Sequence, residues 1–433
     1  MKNFVKKRVS SQRRILQLAH SHPKFHPGGT ELVALALHRE ALRRGEDSWY
    51  LGAIEPSQRT PNPGTHMMPI SDDNREAAIY CGDFRRFELS QDDRYGSLRE
   101  FHEFLRYLKP DVVHVHHVLN FGLEALLTIR TCLPEAVIIL TLHDFYLICA
   151  NNGQLFKYDT KERCEGPDLD ECLKCFPKRT SRDFALRQID ISHALSVCDH
   201  LIAPSHLLRI KMEQYLPKGY PVRVIENGYL GPSTTTTAHK SWPLSEGYPI
   251  TFGYFGNISA VKGLGDMLQA AKVLTREGFN NFLVHIHGSQ LFEDKCLFEL
   301  IAESEALLDG RLVQFGKYDH ASLPGRMSDI DVVVFPSIWW ENAPLVVYEA
   351  LFHGKQTISY PHGGAAEILK RYETGLISAR SDPQALADTM RTVLEDSSLL
   401  AFPILAQTIP DTSSIFNAYD RVYRESRATT KLA

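Results

Sequence analysis

The sequence predicts an α/β protein built of two parallel sheets, each covered by helices. Three observations carry this. Strand and helix signals alternate from Arg14 onward. The alternation stops in a polar Thr-, Pro- and Gly-containing stretch, Gly231 to Pro249, and then restarts. The chain's 433 residues exceed what one ordinary core holds, so two domains of about 200 residues each are expected.

Arg14-Ile15-Leu16-Gln17-Leu18-Ala19 is a short apolar strand, followed by Gly28-Gly29 and a helical stretch from Thr30 to Arg44 that Gly45 closes. Ser48–Leu51 and Asp111–His116 are the next strands, and a helix over Leu119–Arg130 follows the second. Ala136–Leu142 is a fourth strand, ending at His143-Asp144. A cysteine-bearing segment interrupts the pattern before a helix from about Arg182 to Cys198, and His200–Ala203 and Val222–Ile225 are further strands. Beyond the boundary, Ile250–Phe255, Phe282–Ile286, Leu312–Phe315, Asp331–Phe335 and Thr357–Tyr360 are strands with helices between them. Asn417–Arg427 is a final helix.

Composition is that of a soluble globular protein, and no run approaches the roughly 18 apolar residues that cross a bilayer. The basic N-terminus is not followed by the apolar region of a secretory signal, so a cytoplasmic location is expected. A net charge of −4 gives no reason to expect nucleic acid. Lys2, Lys6, Lys7, Arg8, Arg13 and Arg14 form a local basic cluster, either a solvated tail or a peripheral contact with the inner face of a membrane. Of eight cysteines, Cys149, Cys164, Cys172 and Cys175 cluster, and the last two form C-x2-C, one usual half of a tetrahedral zinc site. Structural zinc, unpaired thiols and, in an exported protein, disulfides are all compatible with that spacing.

The segment Pro336-Ser337-Ile338-Trp339-Trp340-Glu341-Asn342-Ala343-Pro344-Leu345-Val346-Val347-Tyr348-Glu349 follows the buried strand and opens a helix. Pro344 suits a first helical position and Gly354 the position past the end. Glu341 therefore lies in the turn before the helix and Glu349 more than a turn inside it, at most about 12 Å further on. The N–H groups of Pro344's neighbours would point at any anion held at that turn.

This E-x7-E arrangement resembles the retaining glycosyltransferases of family 4, whose fold is GT-B, two Rossmann-like domains facing a central cleft. The resemblance implies that Glu341 faces the donor sugar and that Glu349 accepts hydrogen bonds from the ribose diol. It covers nearly the whole chain and is most specific over residues 250–376. It implies an acceptor domain of residues 1–228 plus 412–433, with the last helix returning to it, and a donor domain of residues 229–411. Gly28 and Gly29 match the loop that closes over the donor phosphates. Lys262, in Phe255-Gly256-Asn257-Ile258-Ser259-Ala260-Val261-Lys262-Gly263, matches the lysine that grips the pyrophosphate, but Asn257 stands where the family has an arginine. Gly288-Ser289 and Tyr318 fall where the family places the nucleoside, and His362-Gly363-Gly364-Ala365-Ala366-Glu367 matches a Gly-Gly-x-x-Glu turn. His143 matches a histidine facing the donor sugar, with Asp144 either orienting it or capping the next turn. His116 and His117 are candidates for acceptor contact or structural residues.

The resemblance implies transfer of a hexose-type sugar, with retention, from a nucleotide-diphosphate sugar to a glycan or lipid-linked acceptor, as in cell-surface polysaccharide or lipopolysaccharide assembly. Glu341, His143 and Lys262 are the catalytic candidates, and no cofactor is expected for the chemistry. A nucleotide-sugar epimerase of the same fold and a non-catalytic nucleotide-sugar-binding protein are the other readings. A dinucleotide oxidoreductase is disfavoured, because no G-x-G-x-x-G follows a first strand.

Overall fold

The computed structural model describes residues 12–425 apart from 56, 61, 158, 217–218, 232–246, 290–293 and 402–407. Lys2, Lys6, Lys7 and Arg8, most of the Gly231–Pro249 stretch and the end of the last helix at Arg427 lie outside the described residues. Arg13 and Arg14 do not belong to a tail. Arg13 pairs with Glu46 at 2.7 Å and with Asp420, and buried Arg14 pairs with Asp47 at 2.6 Å and donates to the Leu108 carbonyl. Among the described residues no helix is long and apolar enough to cross a membrane.

The chain forms two compact units. The first comprises the chain up to Lys157, Cys164–Leu230, and the chain from Thr412 on; the second comprises Tyr158–Arg163 and Gly231–Asp411.

The first unit holds an eight-stranded sheet in the order Val222–Val224, His200–Ala203, Val137–Thr141, Val112–Val115, Arg14–Ala19, Asp47–Ile54, Glu76–Tyr80, Met67–Pro69. Neighbours pair in parallel except the last two. Every residue of Arg14–Ala19 is buried, as a strand covered on both faces requires. Helix Gly29–Arg43 buries Val33, Ala34, Leu37 and Ala41 on one stripe, and Gly45 follows its end with φ +81°. Helix Thr412–Tyr423 packs against it and buries Ile415, Phe416, Tyr419, Val422 and Tyr423. The helix expected over Leu119–Arg130 begins only at Glu124, because Asn120 and Gly122 take φ +67° and +81°. The span between Leu51 and Asp111, where the sequence reading placed no element, contains two strands of this sheet and helix Ser97–Leu108.

The second unit holds six parallel strands in the order Leu312–Gly316, Phe282–His287, Ile250–Phe255, Val332–Phe335, Gln356–Ser359, Leu376–Ile377. Phe252, Val284, Val332, Val334 and Ile358 are fully buried between the helices that cover it. The strand order reverses between Ile250–Phe255 and Val332–Phe335. In a doubly wound sheet this is the switch point, where the loops leaving two adjacent strands diverge and open a crevice.

Candidate active site

At that switch point the loop after Phe255 carries Lys262, and the loop after Phe335 carries Glu341. The two loops are locked together by backbone contacts. Ile338 N–H donates to the Val261 carbonyl at 3.0 Å, and Ser337 Oγ to the same oxygen at 3.2 Å. Gly263 has φ +79°, and a Cβ there would lie 1.8 Å from the Pro336 carbonyl oxygen. On the other side Gly364 N–H donates to the Glu341 carbonyl at 2.6 Å, and a Cβ on Gly364 would lie 1.7 Å from the Asn342 carbonyl oxygen. Two glycines therefore clamp the Glu341 turn through close backbone approach.

Glu341 is 8% exposed. Its Oε1 accepts from Lys262 Nζ at 2.5 Å, Trp339 Nε1 at 2.7 Å and Ser337 Oγ at 3.1 Å. The Lys262 ammonium also lies 4.9 Å from the centre of the Trp339 ring. The adjacent Trp340 turns elsewhere, edge-on to His362. Helix Leu345–Phe352 starts one residue later than expected: Pro344 is its N-cap, with ψ 121°, rather than its first helical residue. Gly354 follows its end with φ +63°. Asn257 is exposed, and its carbonyl accepts from the Tyr254 hydroxyl at 2.9 Å.

Glu349, 4% exposed, faces inward from this helix, and its Oε1 lies 2.7 Å from His320 Nε2. That hydrogen bond holds the His320 pKa above its ordinary value, against the opposing effect of burial. Beside them, His287 is stacked between Phe255 and Phe315, at centroid distances of 4.4 and 4.6 Å. Burial, helped by the Arg326 guanidinium, lowers the His287 pKa to about 4, so this ring is neutral. Tyr318 packs edge-on to Phe255, and burial pushes its hydroxyl pKa up. Gly288 has φ +153° and sits against the Gly256 carbonyl, 1.8 Å from where a Cβ would be; the Ser289 carbonyl accepts from Ile258 N–H at 3.0 Å. The loops bearing Asn257, Gly288 and Ser289 are thereby tied at one end of the sheet.

In the first unit, Gly28 is the N-cap of helix Gly29–Arg43 and Gly29 its first residue. Glu31, in the first turn, lies buried 2.9 Å from His20 Nε2. His143 follows strand Val137–Thr141, with Nε2 3.1 Å from His116 Nδ1. Burial, reinforced by His116 and His117, lowers its pKa well below the ordinary value and leaves a neutral imidazole. Asp144 takes the second of its two expected roles. It accepts from Tyr146 N–H at 2.8 Å, closing the next turn, and pairs with His117 at 2.9 Å. His116 and His117 are both buried, and His116 Nε2 is 2.9 Å from Gln17 Oε1. His114 lies 2.8 Å from the Tyr423 hydroxyl and 2.7 Å from Thr141 Oγ1, which ties the returning helix to the sheet.

Cys149, Cys164, Cys172 and Cys175, none of them in a disulfide, line one pocket of about 420 Å³ in the first unit. Burial, with smaller contributions from Cys164 and Cys172, pushes the Cys149 thiol up to about 11. As the side chains stand, no group of three or more His, Cys, Asp or Glu among the described residues is arranged to hold a metal ion.

Ser337, Trp339 and His320 are partners of the two glutamates that the motif does not single out. The first two could have been found from their position within four residues of Glu341. His320 carried no spacing signal, since it reaches Glu349 from a separate loop.

Residues 27–229 match the profile of Glycosyltransferase Family 4, and residues 235–404 that of Glycosyl transferases group 1. Two curated relatives align over part of the chain. 2-Deoxystreptamine glucosyltransferase of Streptomyces kanamyceticus is 30% identical over 163 residues, 37% of this chain and 39% of that protein. D-inositol 3-phosphate glycosyltransferase of Corynebacterium urealyticum is 32% identical over 151 residues, 33% of this chain and 34% of that protein. The chain thus matches well under two thirds of the length of either relative. Among solved structures, sucrose-phosphate synthase from Thermosynechococcus elongatus superimposes with a TM-score of 0.67 at 17% identity, over 95% of this chain and 98% of that one. Anabaena HepE in complex with UDP and glucose does so with a TM-score of 0.65 at 16% identity, over 95% and 99%. At such identity the likeness is one of fold, and that fold is GT-B, with two Rossmann-like domains.

Proposed function

The chain belongs to glycosyltransferase family 4, and we propose on that premise that it is a retaining hexosyltransferase. It moves a sugar from a nucleotide-diphosphate donor to a glycan or lipid-linked acceptor, in cell-surface polysaccharide or lipopolysaccharide assembly at the cytoplasmic face of a membrane. The observation that carries this reading is the disposition of the two glutamates at the switch point. Each is buried, and each is held by a basic side chain, Lys262 for Glu341 and His320 for Glu349. Support for the donor class comes from HepE, solved with UDP-glucose and with UDP and glucose, and from trehalose-6-phosphate synthase, solved with UDP-2-fluoro glucose.

In this reading the ribose diol donates to Glu349, whose two oxygens suit two adjacent hydroxyls. Lys262 and the N–H groups at Asn342, Ala343 and Leu345 stabilise the charge that grows on the leaving diphosphate. Gly28 and Gly29, having no side chains, let backbone approach a phosphate closely. Asn257 donates a hydrogen bond but no charge, so Lys262 carries more of the phosphate charge than it would beside an arginine. Gly288, Ser289 and Tyr318 border the nucleoside. Glu341 orients the sugar, and neutral His143 meets the reacting region. The bond from the anomeric carbon to the diphosphate oxygen breaks as the acceptor oxygen bonds to the same face. The leaving phosphate takes the acceptor's proton, so no separate general base is needed.

The test is a thermal-shift screen of the full chain against UDP-, GDP- and ADP-sugars, followed by acceptor-dependent release of nucleoside diphosphate. Stabilisation by one donor, with an α-linked donor giving an α-linked product, is the expected outcome. Epimerised donor without acceptor, or binding without transfer, would overturn the reading.

A further inference from the structure

Resting on that reading, we propose that Trp339 is a positioning residue that makes Glu341 selective for the transferred sugar. Its indole holds one oxygen of Glu341 fixed so that the other is offered to a single sugar hydroxyl.

The geometry is specific. Glu341 sits in a turn rather than a helix, so its side chain has no helical neighbours to restrict it. Among the described residues, all three of its donors fall on Oε1 and none on Oε2. The donors differ in rigidity. Lys262 is a point charge on a flexible four-carbon stem with three rotatable donors, and Ser337 is a hydroxyl rotor. The indole is a rigid plane with one N–H in a fixed direction. The same ring presents its face to the Lys262 ammonium at 4.9 Å, an arrangement favoured by the ring quadrupole. One side chain therefore sets the positions of both charged groups.

This arrangement has a consequence during turnover. When a diphosphate draws Lys262 away, Glu341 would lose its counter-charge and be free to turn. The indole N–H and Ser337 remain on Oε1 and keep the carboxylate in place. Binding energy toward the sugar is then available where it discriminates between epimers, because a hydroxyl on the wrong side leaves Oε2 unpaired.

Trp339 is partly exposed, so its replacement does not empty the core. The experiment compares the parent chain with Trp339→Phe, which keeps a ring face for Lys262 and loses the donor, and Trp339→His, which restores a ring N–H. Donors are UDP-glucose with UDP-galactose, GDP-glucose with GDP-mannose, and ADP-glucose. Expected for Trp339→Phe are a kcat lower by about tenfold or more, a weakened preference between epimers, and affinity for the free nucleoside diphosphate within about twofold of the parent. Trp339→His recovers part of the rate. An active parent whose Trp339→Phe variant keeps its kcat and preference overturns this inference alone. So does a variant whose nucleoside diphosphate affinity falls as far as its kcat/KM, since the turn has then merely collapsed. A parent that transfers sugar from no donor overturns the transferase reading, and this inference with it.

Discussion

His320 reaches Glu349 from a separate loop and places Nε2 2.7 Å from its Oε1. Glu349 is thereby buried with a partner that can carry a proton, at the position proposed for the ribose diol. Truncating Glu349 removes the acceptor for both hydroxyls. Glu349→Ala is expected to weaken nucleotide binding by about 10- to 100-fold while altering sugar preference little. Calorimetry with the free nucleoside diphosphate checks this, and equal affinity in mutant and parent would sink it. The pairing also carries a pH signature. The folded-state pKa of His320 is raised, so its stabilisation is fully present below the ordinary value of 6.5 and is lost as pH rises through the folded value. His320→Asn should therefore lower Tm more at pH 6 than at pH 9. The difference is about 1 kcal/mol or less, since the side chain is partly exposed.

Lys262 and Glu341 are joined at 2.5 Å, so removing one leaves the other without its counter-charge. Lys262→Met deletes the charge proposed to meet the leaving diphosphate. A kcat lower by about 100- to 1000-fold is expected, larger than the loss in donor affinity, because the diphosphate gains charge as the bond breaks. Steady-state kinetics alongside calorimetry separates the two effects. A variant that loses affinity alone would assign Lys262 to ground-state binding.

Gly364 approaches the Asn342 carbonyl so closely that a Cβ would lie 1.7 Å from the oxygen, a backbone atom that cannot swing aside. Gly364→Ala must displace either its own helix or the Glu341 turn. A destabilisation of about 1–3 kcal/mol is expected, together with lost donor binding. Gly325 has open space around it, so Gly325→Ala serves as the control in the same melting experiment. Equal Tm values for both variants would show that the turn accommodates the methyl.

The central strands were legible because each is a continuous apolar run between polar or glycine punctuation. His200–Ala203 and Ile250–Phe255 coincide with their expected limits. The Glu341–Glu349 segment was legible because a strand, a turn and a helix succeed one another between Val332 and Phe352. Helix Ser97–Leu108 left a readable signal, with Phe101, Phe104, Leu105 and Leu108 on one stripe, yet it lies among short edge strands whose own runs are too brief to register. The start of helix Glu124–Cys132 was not legible, because the left-handed conformations of Asn120 and Gly122 override an otherwise apolar helical pattern. His320 was illegible as a partner for a different reason. Its contact with Glu349 joins residues 29 apart in the chain, and no linear spacing records it.

The four thiols around the pocket of the first unit support one more prediction. Two come from the short helix Leu169–Cys175, where an i, i+3 spacing puts Cys172 and Cys175 on one face, and Cys164 follows the short strand Glu162–Arg163. All four line the same pocket, although they do not converge on one point as placed. Each thiol swings on a single torsion, and a zinc ion would offset that rotation by binding all four as thiolates. Purified full-length chain is expected to carry about one zinc. Cys172→Ser with Cys175→Ser should abolish it and lower Tm. Elemental analysis showing no metal, with all four thiols freely reactive toward a thiol reagent, would remove the proposal and leave the pocket as an apolar hollow lined by ordinary cysteines.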